Sequence, residues 1–232
     1  MPERARSDGQ RVVVVVGAGG GLGQPTVAVL GAAGFTVVAV DRSESALLEL
    51  PHATLREVVD GSDPTAARPL IDRIAAEVGP PAVLVNTLGA FVPGDALTAT
   101  PDCLRTMVDL NLGAALWLTQ AVVPHMQKRG SGAIVHIAAR SGLEPTPEQA
   151  AYGATKAALA HLTRTLDADV RLRGIRVNAI APEIIATPRN LTFLTPERAA
   201  IAVSPEAIAV IIAFLVSDAA APISGALIPA YG

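Results

Sequence analysis

Arg11-Val12-Val13-Val14-Val15-Val16-Gly17-Ala18-Gly19-Gly20-Gly21-Leu22-Gly23 is the stretch on which the fold turns. Consecutive valines without polar alternation suit a strand covered on both faces, as in a parallel sheet with helices above and below. The run ends abruptly in glycines. Gln24–Ala33 then reads as a helix, with Pro25 tolerated in its first turn. Phe35–Val40 is the next apolar strand, and it stops at Asp41. Together these segments make a βαβ unit. A strand that turns through glycines into a helix N-terminus forms an anion site: bare backbone can approach a pyrophosphate, and the helix dipole favours its charge. Asp41 lies where a carboxylate can hydrogen-bond a ribose 2′-hydroxyl and repel a 2′-phosphate. NAD(H) is therefore the expected dinucleotide, while the neighbouring Arg42 leaves NADP(H) open.

The alternation continues outward from this unit. Ala66–Val78 has a helical pattern, Ala82–Val85 reads as a short buried strand, and Pro101–His125 is mostly helical. Ala133–Ala138 is a strand, Gln149–Arg173 a helix, Ile175–Ile180 a strand and Pro205–Val216 a helix, with Ala226–Pro229 as a last short strand. Thr100-Pro101, Thr195-Pro196 and Ser204-Pro205 each place a capping hydroxyl before a proline at the first helical position. This rhythm predicts a single-domain, open, doubly wound parallel sheet with helices on both faces. The domain is expected over residues 11–232, preceded by a polar tail at 1–10 and including a short substrate lobe near 188–203.

Composition narrows the function classes. Half of the 232 residues are hydrophobic and 17% are charged, which supports a large core. A net charge of −3 gives no reason to expect a nucleic-acid or anionic-membrane partner. The lone cysteine, Cys103, precludes an intramolecular disulfide and reads as a small buried residue. The first ten residues lack the apolar core of a signal peptide, and the apolar run Ala207–Val216 is too short to span a bilayer. A soluble cytoplasmic protein is expected. His52, His125 and His161 show no metal-ligand spacing, and His136 sits within a strand and reads as a packing residue, so no metal is predicted.

The chemistry is expected in Ala151-Tyr152-Gly153-Ala154-Thr155-Lys156. Tyr152 and Lys156 stand four residues apart and so share a helix face. A cation beside a phenol favours the phenolate and lowers a pKa that is otherwise near ~10. Tyr152 would then serve as a general acid/base near neutrality.

At this point the chain resembles the short-chain dehydrogenase/reductase family, almost from end to end. Gly17, Gly21 and Gly23 fit its G-x-x-x-G-x-G pattern, with Gly19 and Leu22 inside the same loop. The resemblance implies that Asp60 sits near the adenine and that Asn86-Thr87-Leu88-Gly89 is a variant of the family's Asn-Asn-Ala-Gly turn. It implies Asn111 as the asparagine that orders a relay water, and Tyr152 with Lys156 as the catalytic pair, Lys156 also holding the nicotinamide ribose. Arg176–Pro182 matches the strand leading to the nicotinamide, and Ile185 and Thr187 fall in the segment beside it. Glu183 stands where the family usually has glycine. Dimers or tetramers packed through the two long helices are implied as well, with Trp117 in the core or at the subunit contact.

One element of the pattern is missing. Thirteen residues before the tyrosine the family has a serine that polarises the substrate carbonyl, and here that residue is Ala139. Either Ser141 substitutes, or the substrate needs no such donor, or the protein binds a dinucleotide without turnover. The quinonoid dihydropteridine reductase branch is similar in lacking this serine. Gly89–Gly94, Thr146-Pro147, Thr187–Asn190 and Ser224–Ile228 look like that branch, whereas Asn111 departs from it. The expected activity is hydride transfer between NAD(H) and a small carbonyl or alcohol compound. An imine such as a quinonoid pterin is the alternative, and Phe91 could then stack on a flat substrate.

Overall fold

A computed structural model describes residues 11–232, so the polar tail expected at 1–10 lies outside the described residues. Among the described residues, seven parallel strands form one sheet in the order β3-β2-β1-β4-β5-β6-β7. They are β1 (Val12–Val16), β2 (Thr36–Asp41), β3 (Leu55–Val58), β4 (Val83–Asn86), β5 (Gly132–Ile137), β6 (Ile175–Pro182) and β7 (Leu227–Ala230). The helices are α1 (Gly23–Ala32), α2 (Glu44–Leu48), α3 (Ala67–Glu77), α4 (Pro101–Val108), α5 (Ala114–Arg129), α6 (Ala150–Val170), α7 (Pro188–Leu191), α8 (Pro196–Ala200) and α9 (Pro205–Val216).

The valine run explains the layering. Val13 and Val15 face one core with Val27 and Leu30 of α1 and Ile208 and Ile212 of α9. Val12, Val14 and Val16 face the other, with Leu70 and Ile74 of α3, Leu118 and Val122 of α5, and Leu166 of α6. Because each strand residue meets a helix layer on one side or the other, no polar position could be tolerated in the run. The predicted doubly wound sheet is thus the observed one. Strand order reverses between β1 and β4, which opens a crevice at their carboxyl ends where ligands bind in this architecture.

The three expected helix caps form: the hydroxyls of Thr100, Thr195 and Ser204 accept from the amides of Cys103, Arg198 and Ala207. Thr187 adds a fourth, accepting from Asn190 at the start of α7. The lobe expected near 188–203 therefore contains two short capped helices.

Several expectations need correction. The long helix predicted over 101–125 runs to Arg129 and is interrupted by a π-helical turn at Asp109–Gly113. The combined run Pro101–Arg129 is long and apolar enough to cross a membrane, which the shorter run Ala207–Val216 is not. Here, however, Leu118, Val122 and Met126 pack it against the sheet. The strand expected to end at Ile180 continues to Pro182. Cys103 is partly exposed in the first turn of α4 rather than buried. Trp117, on α5, is half-buried and packs against the core, one of the two places expected for it.

Candidate active site

The glycine loop is built on contacts that admit no side chains. Gly17 has φ +81°, and a Cβ there would lie 2.7 Å from the Thr87 hydroxyl. A Cβ on Gly23 would lie 2.1 Å from the Gly17 carbonyl oxygen. The Thr87 hydroxyl in turn lies 2.8 Å from the Val16 carbonyl and 3.1 Å from the Gly17 carbonyl, which ties the β4 turn to the loop. Helix α1 has no side-chain cap, and among the described residues the amides of Gly21, Leu22 and Gly23 donate to no carbonyl. Unspent amides at the positive end of a ten-residue helix fit a dinucleotide pyrophosphate.

Asp41, at the end of β2, closes the other side of the loop. Its carboxylate accepts from the Gly19 amide and the Ser43 amide, each at 3.0 Å. Arg42 beside it is exposed. Asp60 is exposed too, and its carboxyl is held below the usual range by the Ser62 hydroxyl and then by the Ser62 amide. Asn86 accepts from the Leu88 amide at 3.1 Å and so shapes the turn that ends in Gly89.

Gly89 lies against the two polar side chains beneath it. A Cβ there would come within 3.1 Å of Asn111 Oδ1 and 3.3 Å of Lys156 Nζ. Asn111, in the π-helical turn, is 1% exposed and fully engaged. Its carboxamide accepts from the Ala90 amide at 2.9 Å and donates to the Ala90 carbonyl and to the Thr155 hydroxyl, both at 3.1 Å. The Thr155 hydroxyl donates to the Tyr152 carbonyl at 2.9 Å. A continuous chain of bonds thus links the segment after β4 to the first turn of α6.

Tyr152 and Lys156 do share a face of α6, yet their mutual effect differs from the expectation. The Lys156 ammonium donates to the Ile137 carbonyl at 2.6 Å and stands 5.8 Å from the centre of the Tyr152 ring. Burial pulls Lys156 down to about 8 and pushes Tyr152 up to about 12. Within the protein alone the phenol is not acidified: removal from water disfavours the phenolate more than the lysine, which is committed to Ile137, can offset. Buried His136 approaches the Thr119 hydroxyl through Nε2 at 3.3 Å and is depressed to about 4, by burial first and by the Lys156 charge second. It packs, as its place in β5 suggests.

Ala139 extends from β5 with φ −160° and brings no hydroxyl. The following turn, Arg140–Gly142, presses against α6: a Cβ on Gly153 would lie 2.9 Å from the Ser141 carbonyl. Ser141 Oγ is buried there and has no hydrogen-bond partner among the described residues, so its donor is unspent. Beside this turn is a cavity of about 250 Å³, lined among others by Arg140, Ser141, Gln149, Glu183 and Arg198. Glu183, just past Pro182, receives Arg140 at 2.6 Å, and the same guanidinium meets Glu144 and lies over the Tyr231 ring. A second cavity, of about 590 Å³, lies between Gly21 of the glycine loop and Gln24 of α1 on one side and Thr187 and Arg189, at the start of the lobe, on the other. Thr187 abuts Gly21 directly, whose Cβ would come within 2.8 Å of its side chain. Ile185 bridges to Val203, and its carbonyl accepts from Asn190. Neither cavity is lined by Tyr152. Among the described residues no cluster could hold a metal ion.

Residues 11–197 match the model of the short chain dehydrogenase family. The chain belongs to that family. It is 32% identical to the meso-2,3-butanediol dehydrogenase of Serratia marcescens, over 96% of this chain and 93% of that one. It is 36% identical to the galactitol 2-dehydrogenase of Rhizobium johnstonii, over 97% and 95%. The structure of ElxO with NADP bound superposes with a TM-score of 0.90 at 23% identity, covering 95% of this chain and 96% of that one. An NAD+-bound xylitol dehydrogenase superposes with a TM-score of 0.88 at 24% identity, covering 96% and 98%. This short-chain dehydrogenase is thus a nicotinamide-dependent oxidoreductase acting on alcohol and carbonyl groups.

The sequence did not reveal the link through Thr155, the ion pairs of Arg140 or the packing partner of Phe91. Glu183 carried a signal, as a charged residue where glycine was expected, and Phe91 another, as an aromatic beside the β4 turn.

Proposed function

We propose that this short-chain dehydrogenase interconverts a small hydroxylated alcohol and its carbonyl compound, preferring NAD(H), with Tyr152 as general acid/base. The reading is carried by one juxtaposition: Lys156 Nζ and Asn111 lie directly under Gly89, in the turn that Thr87 ties to the glycine loop. The bound dinucleotide would supply or accept the hydride. In reduction the neutral Tyr152 phenol, the form that its raised pKa favours, gives its proton to the carbonyl oxygen and becomes a phenolate; in oxidation that phenolate takes the alcohol proton. Lys156 binds a ribose hydroxyl while anchored on Ile137. Asn111 sets the position of the Ala90 backbone and, through Thr155, of the Tyr152 turn.

Gly17, Gly19, Gly21, Leu22 and Gly23 would receive the pyrophosphate, with Asp41 at the ribose, Asp60 near the adenine, and Asn86, Gly89, Pro182, Ile185 and Thr187 toward the nicotinamide. The Asp41 carboxylate, held against Gly19, supports NAD(H) because a 2′-phosphate there would meet its charge. Arg42 is the residue through which NADP(H) could still be accepted. The unspent hydroxyl of Ser141 supports this residue as the donor that replaces the missing serine at Ala139. Dimers or tetramers would bury apolar residues such as Leu104 and Val108, exposed on α4.

A second reading rests on Ala139 itself. An imine spreads developing charge over ring nitrogens and has less need of a carbonyl clamp, so a quinonoid dihydropterin remains the competing substrate. Initial rates with NAD+ or NADP+ and a panel of secondary alcohols, diols and hexitols test the first reading. NADH oxidation with a quinonoid dihydropterin tests the second. Turnover of diols or hexitols with NAD+ preferred supports the proposal, and turnover of the pterin alone overturns it.

A further inference from the structure

The segment that follows β4 returns across Tyr152 and is pinned at both ends. At Ala90, Asn111 engages both the backbone amide and the carbonyl. At Gly94, the amide donates to the Glu148 carbonyl at 2.8 Å, and the carbonyl accepts from the Ala150 amide at 3.2 Å, forming a parallel bridge to Gln149. Glu148 holds φ 58°, a left-handed conformation uncommon for a residue with a side chain. Between the two pins, Phe91 stands at 85° to the Tyr152 ring with centroids 5.0 Å apart. Phe91 is 52% exposed, so its own burial is a poor account of its position.

An edge-to-face pair is attractive because the positive edge of one ring meets the negative face of the other. It is also directional. A phenol on a helix can turn about two side-chain torsions, whereas the pinned backbone fixes where Phe91 sits. Both pins attach to elements that carry the site: Asn111 bonds through Thr155 to the Tyr152 carbonyl, and Ala150 opens α6 two residues before Tyr152. The contact is therefore between parts joined by hydrogen bonds.

We propose that Phe91 is a positioning residue: held by a strap pinned at Ala90 and Gly94, its ring fixes the orientation of the Tyr152 phenol and keeps water from it. This rests on Tyr152 being the acid/base. Phe91 acts through Tyr152, whose ring it meets edge to face. A misplaced proton donor loses rate steeply, since small errors in geometry cost as much as about 10²-fold. Admission of water would also return the phenol from about 12 toward its ordinary value.

The test compares wild type with Phe91→Ala and Phe91→Tyr, each checked for folding by circular dichroism and thermal melting. The first readout needs no substrate: the near-ultraviolet absorbance of tyrosinate is followed against pH, with Tyr152→Phe, alone and combined with each Phe91 substitution, as the matching blank so that the difference reports Tyr152. Phe91→Ala is expected to lower the pH at which Tyr152 ionises, and Phe91→Tyr to leave it near the wild-type value. The second readout is turnover of a secondary alcohol: Phe91→Ala should lower kcat roughly 10- to 100-fold with KM little changed, and Phe91→Tyr should restore most of it. A folded Phe91→Ala protein with wild-type Tyr152 ionisation overturns the proposal. So does a kcat within about twofold of wild type, at the sensitivity that the geometry implies. If Tyr152 ionisation shifts as expected while wild type turns over none of the alcohols, the clamp stands and the functional reading fails.

Discussion

Gly23→Ala places a methyl group where the glycine loop has no room for one. The new Cβ would lie 2.1 Å from the Gly17 carbonyl oxygen and 2.7 Å from the Ala18 Cα, both backbone atoms. Ordinary van der Waals contact begins near 3.4 Å, so the loop and helix must part by about 1.3 Å, the difference between 3.4 and 2.1. A displacement of that size exceeds what an N–H to phosphate bond tolerates. Losing one or two such charge-assisted bonds costs about 3 kcal/mol, or roughly a hundredfold in dinucleotide affinity. Stability should fall as well, by about 1–3 kcal/mol, because the strain is confined to one turn. NADH fluorescence titration and thermal melting measure the two effects separately. A Gly23→Ala protein that binds NADH as tightly as wild type would refute the assignment of this loop to the pyrophosphate.

Three further outcomes follow from the site. Ala139→Ser restores a donor at the start of the Arg140–Gly142 turn and should raise kcat on simple ketones about tenfold or more; no gain would mean that Ser141 already serves or that the substrate is an imine. Asp41→Asn removes the charge beside Gly19 and should narrow the preference for NADH over NADPH by about tenfold in kcat/KM, the order expected from about 1.4 kcal/mol of relieved repulsion. His136 is neutral in the folded protein down to about pH 4, whereas the unfolded chain takes up its proton near 6.5. The unfolded state therefore binds more protons in that window, and stability falls as pH drops from about 6.5 to 4, by about 3 kcal/mol in all. Denaturant unfolding of His136→Asn should show a shallower acid dependence over the same range.

What could be read from the sequence depended on which residues carry an unambiguous pattern. The valine run admits only a strand buried on both faces, and the glycines that follow admit only a turn without side chains, so β1, α1 and β2 were legible. The edge strand β3 was not: Leu55-Arg56-Glu57-Val58 alternates apolar and charged residues over only four positions. The π-helical turn at Asp109–Gly113 was hidden because one extra residue barely disturbs the apolar periodicity of a long helix, although it is what carries Asn111. Spacing placed Tyr152 and Lys156 on one face correctly. It could not show that the ammonium would turn to the Ile137 carbonyl, since that partner comes from β5, across the fold. Likewise Phe91 was recognisable as an aromatic beside the β4 turn, but its contact with Tyr152 depends on the bridge from Gly94 to the start of α6.

Tyr152→Phe tests the central claim most directly, because it removes one hydroxyl and leaves the ring against Phe91. Steady-state turnover of an alcohol substrate and NADH binding should be measured on the same preparation. The account predicts turnover lowered by at least about 10²-fold with the NADH dissociation constant within about twofold of wild type. Undiminished turnover would show that another group moves the proton and would contradict the assignment of Tyr152.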